Sequence, residues 1–293
     1  MIFDEPTLRK LTSLTLVANQ VRAGMLKGER RSSKRGTSLE FADYRNYTPG
    51  DDLRRLDWNV YARLDRPFLK LFEEEEDLAV HILLDASQSM DWGEGEHNKF
   101  RYARYLAAAL GAISLASGDR LSVLPLRAGQ NSPGFGPSRG QPFTLPLLNF
   151  LEQLTVSGQT DLNRLLRDYA LSAHRPGLAF LLSDLFSPGG FLSGLSQLQS
   201  RGYEVAVIHL LSPAEIDPPL AGDLRLIDVE TGQAQEVSLD GGMRQLYRQR
   251  VQAWREEIQA NCRKRGVRYL ALDTGQPWEK FVLYNLRAEG VLK

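Results

Sequence analysis

The residues with the clearest potential for chemistry form the segment Asp85-Ala86-Ser87-Gln88-Ser89, which directly follows the apolar run of residues 78–84. One carboxylate and two hydroxyls at alternate positions supply hard oxygen donors, which suit Mg²⁺ or Mn²⁺. The apolar run predicts a buried strand, and open α/β sheets bind their ligands at the carboxyl ends of strands. The segment therefore predicts a divalent cation site.

Two further predicted loops add oxygen donors to this site. Thr160 lies in the glycine-containing stretch 157–161 just before a predicted helix, and Asp184 ends the apolar run of residues 179–182. In a doubly wound sheet of strand order 3-2-1-4-5-6, the first strand lies beside the fourth, and their carboxyl ends open into one crevice. We expect three loops to converge there and to bring together Asp85, Ser87, Ser89, Thr160 and Asp184.

A simpler interpretation applies to the first loop alone. Asp and Ser favour the positions that cap turns and helices, so Asp85, Ser87 and Ser89 could only cap the turn that follows the strand. Capping does not require Thr160 and Asp184 as well.

The elements that must position these residues follow a regular pattern after residue 77. Apolar runs predict strands at 78–84, 121–126, 178–182, 203–210 and 267–272, and helical periodicity predicts helices at 99–117, 145–154, 162–173, 189–200, 242–265 and 277–288. Residues 128–142 predict a loop or a poorly packed hairpin, and a second hairpin is expected about residues 230–232. Strands that are apolar throughout and alternate with helices predict a doubly wound, mostly parallel, Rossmann-like α/β domain over residues 78–293.

Residues 1–77 are predicted to form a smaller N-terminal appendage. Apolar spacings of three and four predict an amphipathic helix from Pro6 to Met25, followed by an irregular or β segment over residues 39–71 that aromatic packing and ion pairs hold together. The basic stretch 27–35 is either a solvated linker or a loop that binds phosphate or acidic groups. The five consecutive acids of residues 73–77 predict a solvated run.

Composition excludes several classes of protein. The chain has 293 residues with 36 basic and 36 acidic side chains, so no global charge favours nucleic acid or an anionic membrane. The single cysteine, Cys262, excludes an intrachain disulfide framework and suits a reducing compartment. No run of about eighteen apolar residues and no signal-peptide pattern occurs, which predicts a cytoplasmic protein without a membrane span.

The order Asp85-x-Ser87-x-Ser89, then Thr160, then Asp184 resembles the metal-ion-dependent adhesion site (MIDAS) of von Willebrand factor A (vWA) domains. The resemblance covers about residues 78–290. It implies that the two serines and the threonine bind Mg²⁺, or Mn²⁺ or Ca²⁺, directly or through water, and that the aspartates bind mostly through water. It also implies that an acidic side chain of a partner fills an open position on the cation. Many vWA domains have glycine where this chain has Leu185.

The preceding segment resembles the bacterial DUF58 family. The residues that carry this resemblance are Arg35-Gly36, Phe41-x-Asp43-x-Arg45-x-Tyr47-x-Pro49-Gly50-Asp51-Asp52, Arg54-x-x-Asp57-Trp58, Ala62-Arg63 and Lys70-x-Phe72-Glu73-Glu74-Glu75. Members of that family join this segment to a vWA-type domain and resemble partners of MoxR-type AAA+ ATPases. Many of them carry N-terminal membrane helices, which this sequence does not predict.

Three classes of function are compatible with these features. The first is a non-enzymatic interaction module that binds a partner's acidic side chain through its cation and acts with a MoxR-type ATPase in the assembly or maturation of protein complexes. The second is a metal-dependent hydrolase or phosphatase with Asp85 as nucleophile, although Ser87 stands where such enzymes usually have a second carboxylate. The third is nucleic-acid binding through residues 27–35 and the arginines of the predicted helix 242–265. The oxygen-rich set and the two resemblances favour the first.

Overall fold

The computed structural model describes residues 3–18, 39–48, 51, 53, 56–74, 78–127, 133–172, 175–219, 222–227, 234–239 and 241–293. The chain divides into two compact units, one formed by Met1–Lys27 with Leu78–Lys293 and the other by Gly28–Asp77. The basic stretch 27–35, residues 75–77 and the turn about residues 230–232 lie outside the described residues.

The described residues form the following elements. In chain order they are α1 (Glu5–Thr12), β1 (Leu39–Asn46), α2 (Trp58–Leu64), β2 (Phe68–Glu74), β3 (Ala79–Asp85), α3 (Lys99–Ala116), β4 (Arg120–Leu126), β5 (Phe135–Arg139), α4 (Thr144–Gln153), α5 (Leu162–Ser172), β6 (Leu178–Ser183), α6 (Leu192–Ser200), β7 (Glu204–Leu211), α7 (Pro213–Ile216), β8 (Gly222–Ile227), β9 (Ala234–Leu239), α8 (Gly241–Lys264), β10 (Arg268–Asp273), α9 (Trp278–Lys280), a π-helical turn (Phe281–Asn285) and α10 (Leu286–Ala288).

A six-stranded sheet organises the larger unit, in the order β10-β7-β6-β3-β4-β5. All neighbouring pairs are parallel except β4 and β5, which are antiparallel. Counted along the unit, β3 is the first strand and β6 the fourth, and the two are neighbours, as in the predicted order. The predicted mostly parallel, Rossmann-like α/β fold is confirmed.

Helices cover both faces of this sheet because its central strands are apolar on both sides. Successive side chains of β3 alternate between two cores, with Val80, Ile82 and Leu84 in one and Leu83 in the other. The first core contains apolar residues of α1, α3, α4 and α10, and the second contains residues of α5, α6 and α8. Cys262 is buried in the second core.

The predicted N-terminal helix from Pro6 to Met25 ends at Thr12, so the prediction is wrong over residues 13–18, and residues 19–25 lie outside the described part of the chain. The hydroxyls of Thr12 and Ser13 donate to carbonyls three residues back, which competes with further helical bonds. The backbone then becomes extended, and Thr15 N–H donates to Lys293 O while Lys293 N–H donates to Thr15 O. The apolar residues whose spacing predicts a long helix are therefore divided between a short helix and an extended segment.

The N-terminal segment falls in the larger compact unit. The two units are Met1–Lys27 with Leu78–Lys293 and Gly28–Asp77, whereas the sequence predicts one appendage over residues 1–77. Leu11, Leu14 and Leu16 are buried in the first core, which explains why the segment packs with residues 78–293.

The region 128–142, predicted as a loop or a poorly packed hairpin, contains the edge strand β5, which pairs with β4. The ring of Phe135 packs against Phe150 of α4, and this contact fixes the strand on the core. The second predicted hairpin is present as the antiparallel pair β8 and β9.

The smaller unit pairs β1 with β2 in an antiparallel ladder. Asp57 caps α2 by accepting from the amides of Asn59 and Val60, and it also accepts a hydrogen bond from the Tyr44 hydroxyl at 2.9 Å. Arg45 forms an ion pair with Asp51 at 2.8 Å. These contacts agree with the predicted compact segment. In the described part of the chain, no helix is both long and apolar enough to cross a bilayer.

Candidate functional site

Three loops meet at the carboxyl edge of the sheet, where β3 and β6 end. The loop after β3 is joined to residues 157–160 by two backbone hydrogen bonds, from Gln88 N–H to Gly158 O and from Ser157 N–H to Ala86 O, both 2.9 Å long. The loop after β6 reaches the same residues, since the Ser187 hydroxyl donates to Thr160 O at 3.1 Å. The predicted convergence of the three loops is therefore present.

Asp85, the last residue of β3, is a buried carboxylate without a basic partner among the described residues. One oxygen accepts from Ser87 N–H at 3.0 Å, and the other accepts from the Ser183 hydroxyl. Burial raises the pKa of Asp85 to about 6, and the negative charge of Asp184 adds to this effect. The site therefore holds a negative charge that nothing in the described chain neutralises directly.

The hydroxyls of the predicted site lie beside this carboxylate or in the adjoining loop. Ser87 Oγ and Ser89 Oγ are 3.0 Å apart, Ser87 is buried and Ser89 is half-buried. Thr160 is also buried, and its Oγ1 has no hydrogen-bond partner in the described structure. A buried hydroxyl without a partner is costly, so Thr160 fits a site that a ligand completes.

Thr160→Val is expected to raise the free energy of unfolding by about 1 kcal/mol in the presence of a chelator, because the buried hydroxyl that lacks a partner is removed. Chemical denaturation in EDTA measures this value. Thr155→Val, in the same loop but at an exposed position, is the matched control and should stay within about 0.5 kcal/mol of the wild type. A loss of stability in Thr160→Val that exceeds the change in Thr155→Val would contradict the interpretation that Thr160 Oγ1 lacks a hydrogen-bond partner.

Asp184 is fully buried beside a fully buried lysine. Lys99 Nζ donates to Asp184 Oδ2 and to Glu215 Oε1, each at 2.6 Å, and the second oxygen of Asp184 accepts from Phe186 N–H at 3.0 Å. The ammonium also lies 5.1 Å from the centre of the Phe186 ring. Asp184 thus lies at the same edge of the sheet as Asp85, and its charge is shared with the ammonium of Lys99.

Sequence reasoning missed both Lys99 and Glu215. Lys99 is the first residue of α3 after the cap residue Asn98, where the helix dipole disfavours a positive charge, and this unusual position is the signal that could have identified it. Glu215 forms a capping box with Ser212, whose Ser-x-x-Glu spacing is visible in the sequence. Nothing in either pattern indicates that the two side chains meet.

Leu185 has a φ of +61°, in the left-handed region that glycine favours. Leu185, which stands where many vWA domains have glycine, therefore adopts a backbone conformation that glycine favours. The Leu185 side chain is buried in the second core, and its amide donates to the Ser183 hydroxyl at 2.8 Å. This packing offsets the backbone strain of about 1 kcal/mol.

The donors of the site fit a hard divalent cation. Asp85, Asp184 and Glu215 carry three negative charges and Lys99 carries one positive charge, which leaves an excess of two negative charges in a buried region. The neutral oxygens of Ser87, Ser89 and Thr160 supply the further ligands that Mg²⁺ accepts. The described residues contain no cluster of three or more His, Cys, Asp or Glu side chains arranged for a metal, so any such site depends on these hydroxyls.

The raised pKa of Asp85 predicts a pH dependence of stability. Because the folded pKa of about 6 exceeds the ordinary value of 3.8, the protonated form stabilises the fold below pH 4, and this contribution is lost as the pH rises through 6. In EDTA, the unfolding free energy of the wild type should fall between pH 4 and 7 by roughly 3 kcal/mol relative to Asp85→Asn.

The comparison with Asp85→Asn isolates this carboxyl. Burial lowers the pKa of His81 to about 4 and that of His209 to about 3, so both histidines make the fold less stable as the pH falls and would mask the effect in the wild type alone. Both proteins contain these histidines, and their contribution cancels in the difference. A difference that does not change with pH would contradict the raised pKa.

Comparison with known families gives this geometry a context. The family model described as "Protein of unknown function DUF58" matches residues 43–257. The chain belongs to the DUF58 family. The match begins in the smaller unit and ends within α8, so the family region of this DUF58 protein contains the signature residues from Asp43 onward and the strands β3 to β7, with the three loops between them, while β10 follows it.

Relatives extend the likeness over nearly the whole chain. Uncharacterized proteins of Mycobacterium tuberculosis (strain H37Rv) and Mycobacterium bovis are each 28% identical to this DUF58 protein over 278 residues, which cover 94% of this chain and 87% of theirs. Among solved structures, the conserved hypothetical protein BatB from Bacteroides thetaiotaomicron is 18% identical, with 67% of this chain and 90% of that chain covered and a TM-score of 0.40. An aerotolerance-related membrane protein from Bacteroides fragilis is 17% identical, with coverage of 67% and 92% and a TM-score of 0.41.

Proposed function

We propose that this DUF58 protein is a non-enzymatic interaction module whose MIDAS-type site holds a divalent cation and binds an acidic side chain of a protein partner. Asp85, Ser87, Ser89, Thr160 and Asp184 would hold the cation, with Mg²⁺ as the first choice and Mn²⁺ or Ca²⁺ as alternatives. When bound, the cation would supply the positive charge to which the partner's carboxylate binds.

The observation that carries this proposal is the uncompensated negative charge of Asp85. A buried carboxylate without a basic partner is costly, and the neighbouring Asp184 increases the cost. A divalent cation would relieve both, and the unpartnered hydroxyl of Thr160 would gain a partner in the same event. The three loops that would supply this shell of oxygen atoms meet near the end of β3, which supports the proposal.

The non-enzymatic character is supported by the side chain at position 87. A phosphatase that used Asp85 as its nucleophile would need a general acid nearby, usually a carboxylate two residues further along the chain. In this chain that position is Ser87, whose hydroxyl is paired with that of Ser89. The chain's acidic and basic side chains are equal in number, which does not favour nucleic-acid binding.

The proposed partner is a MoxR-type AAA+ ATPase, or a protein that such an ATPase processes, in the assembly or maturation of protein complexes. The resemblance of DUF58 proteins to partners of these ATPases supports this choice. The chemistry of the site adds that the contact residue of the partner is Asp or Glu. The single buried cysteine suits a reducing compartment such as the cytoplasm, where these ATPases would meet it.

Capture experiments test the proposal. The tagged wild-type protein is incubated with a lysate of its source cells in Mg²⁺ or in EDTA, and bound proteins are identified by mass spectrometry. We expect an AAA+ ATPase to be captured in Mg²⁺ and released by EDTA, and not to be captured by Asp85→Asn. Equal capture by both proteins in both buffers would overturn the proposal.

A further inference from the structure

We infer that Lys99 is a positioning residue for the proposed cation site. Its ammonium, which Glu215 shares, holds the Asp184 carboxylate and offsets part of its negative charge, so that a bound cation keeps part of its own positive charge for an acidic ligand. This inference rests on the proposed function and names a residue that determines the charge of the ligand the site accepts.

Asp184 is held in place through both of its carboxylate oxygens. Lys99 Nζ lies 2.6 Å from one carboxylate oxygen, and Phe186 N–H donates to the other at 3.0 Å. Both side chains of the ion pair are completely buried, so solvent does not screen them. Asp184 is therefore fixed in orientation by the chain, and the nearest positive charge to it is the ammonium of Lys99.

Glu215 is the second carboxylate that contacts Lys99. Its Oε1 accepts from Lys99 Nζ at 2.6 Å, and its Oε2 accepts from Ser212 N–H at 2.8 Å, as part of the capping box of α7. This second carboxylate neutralises the ammonium. Without it, the charge of Lys99 would oppose a cation held by Asp85 and Asp184.

The charges around the proposed cation do not balance it completely. Lys99 is shared between Glu215 and Asp184, so a divalent cation would meet the full negative charge of Asp85 and only part of that of Asp184. Of the five proposed ligands, three are neutral hydroxyls. A cation in this shell would keep part of its positive charge, so it would favour a carboxylate as its outer ligand over a neutral group.

Two variants test the inference because they are expected to change Mn²⁺ affinity in opposite directions. Glu215→Gln leaves the ammonium without its second carboxylate, and Mn²⁺ should bind about tenfold more weakly than to the wild type. The double variant Lys99→Met/Glu215→Gln keeps the net charge of the wild type but frees Asp184 from the ammonium. Mn²⁺ should then bind about tenfold more tightly. Titration calorimetry and the paramagnetic signal of free Mn²⁺ measure both values.

The outcomes separate this inference from the function on which it rests. Absence of Mn²⁺ binding in the wild type and in both variants contradicts the proposed cation site itself. Binding to the wild type with unchanged affinity in the double variant, or with a loss in both variants, contradicts the role of Lys99 alone. Lys99→Gln/Glu215→Gln, in which an amide can still donate to Asp184, repeats the test if the methionine variant does not fold.

Discussion

Replacing Asp85 with asparagine is expected to weaken Mg²⁺ binding by about a hundredfold, or roughly 2.7 kcal/mol. The asparagine side chain would keep the shape of the aspartate and lose its charge, and among the described residues Asp85 is the carboxylate of the site that has no ammonium beside it. Titration calorimetry with Mg²⁺ measures the loss. Binding within about threefold of the wild type would show that Asp85 does not contribute to cation affinity.

Stability supplies the control for this variant. In EDTA at pH 7, Asp85→Asn should unfold at a higher denaturant concentration than the wild type, because the uncompensated buried charge is gone. A loss of Mg²⁺ binding together with a gain in stability cannot arise from a folding defect. Asp168→Asn, which removes a half-exposed carboxylate of α5, is the matched control and should leave both quantities unchanged.

Replacing Lys99 alone with methionine is expected to lower the free energy of unfolding by about 3–5 kcal/mol. The ammonium is completely buried between Asp184 and Glu215, and its removal leaves two carboxylates without their counterion. Such a loss is a large fraction of the stability of an ordinary domain. Urea denaturation followed by circular dichroism measures it.

The matched control for Lys99→Met is Arg9→Met. Arg9 forms an ion pair with Glu5 at the same distance of 2.6 Å, but both side chains are more than three-quarters exposed. Solvent screens that pair, so its loss should change stability by less than about 0.5 kcal/mol. Similar effects of the two substitutions would contradict the account of a buried, unscreened ion pair. Adding Glu215→Gln to Lys99→Met should recover part of the stability, since one unpaired carboxylate is removed.

The sequence was sufficient for the sheet and for the approach of the three loops because both depend on patterns that are local. A strand that is apolar at every position must be covered on both faces, and the first and fourth strands of a doubly wound sheet are neighbours. Asp85 and Asp184 therefore had to lie at the same edge. The same reasoning predicts that Ser87, Ser89 and Thr160 lie near this edge, because they belong to loops that connect to its strands.

The contacts of Lys99 were beyond prediction because they depend on distant parts of the chain. Lys99 meets Asp184 across 85 residues and Glu215 across 116 residues, and no periodicity links these positions. The extended segment after Thr12 was missed for a related reason, since its hydrogen bonds are made with Val291 and Lys293 at the other end of the chain. The local spacing of apolar residues predicts whether they form a helix or a strand. It does not predict which distant strand or segment that element contacts.

The hydrogen bonds that join the loop after β3 to residues 157–160 run from main-chain amide to main-chain carbonyl. These two bonds hold the first two loops together through peptide groups alone, whereas the loop after β6 is joined to them through the Ser187 hydroxyl. Substitutions of Ser87, Ser89 or Thr160 leave both main-chain bonds in place, so the approach of the first two loops should persist when these side chains change. The junction with the third loop depends in part on a side chain, and Ser187 is therefore the position at which a substitution should disturb the arrangement of the loops.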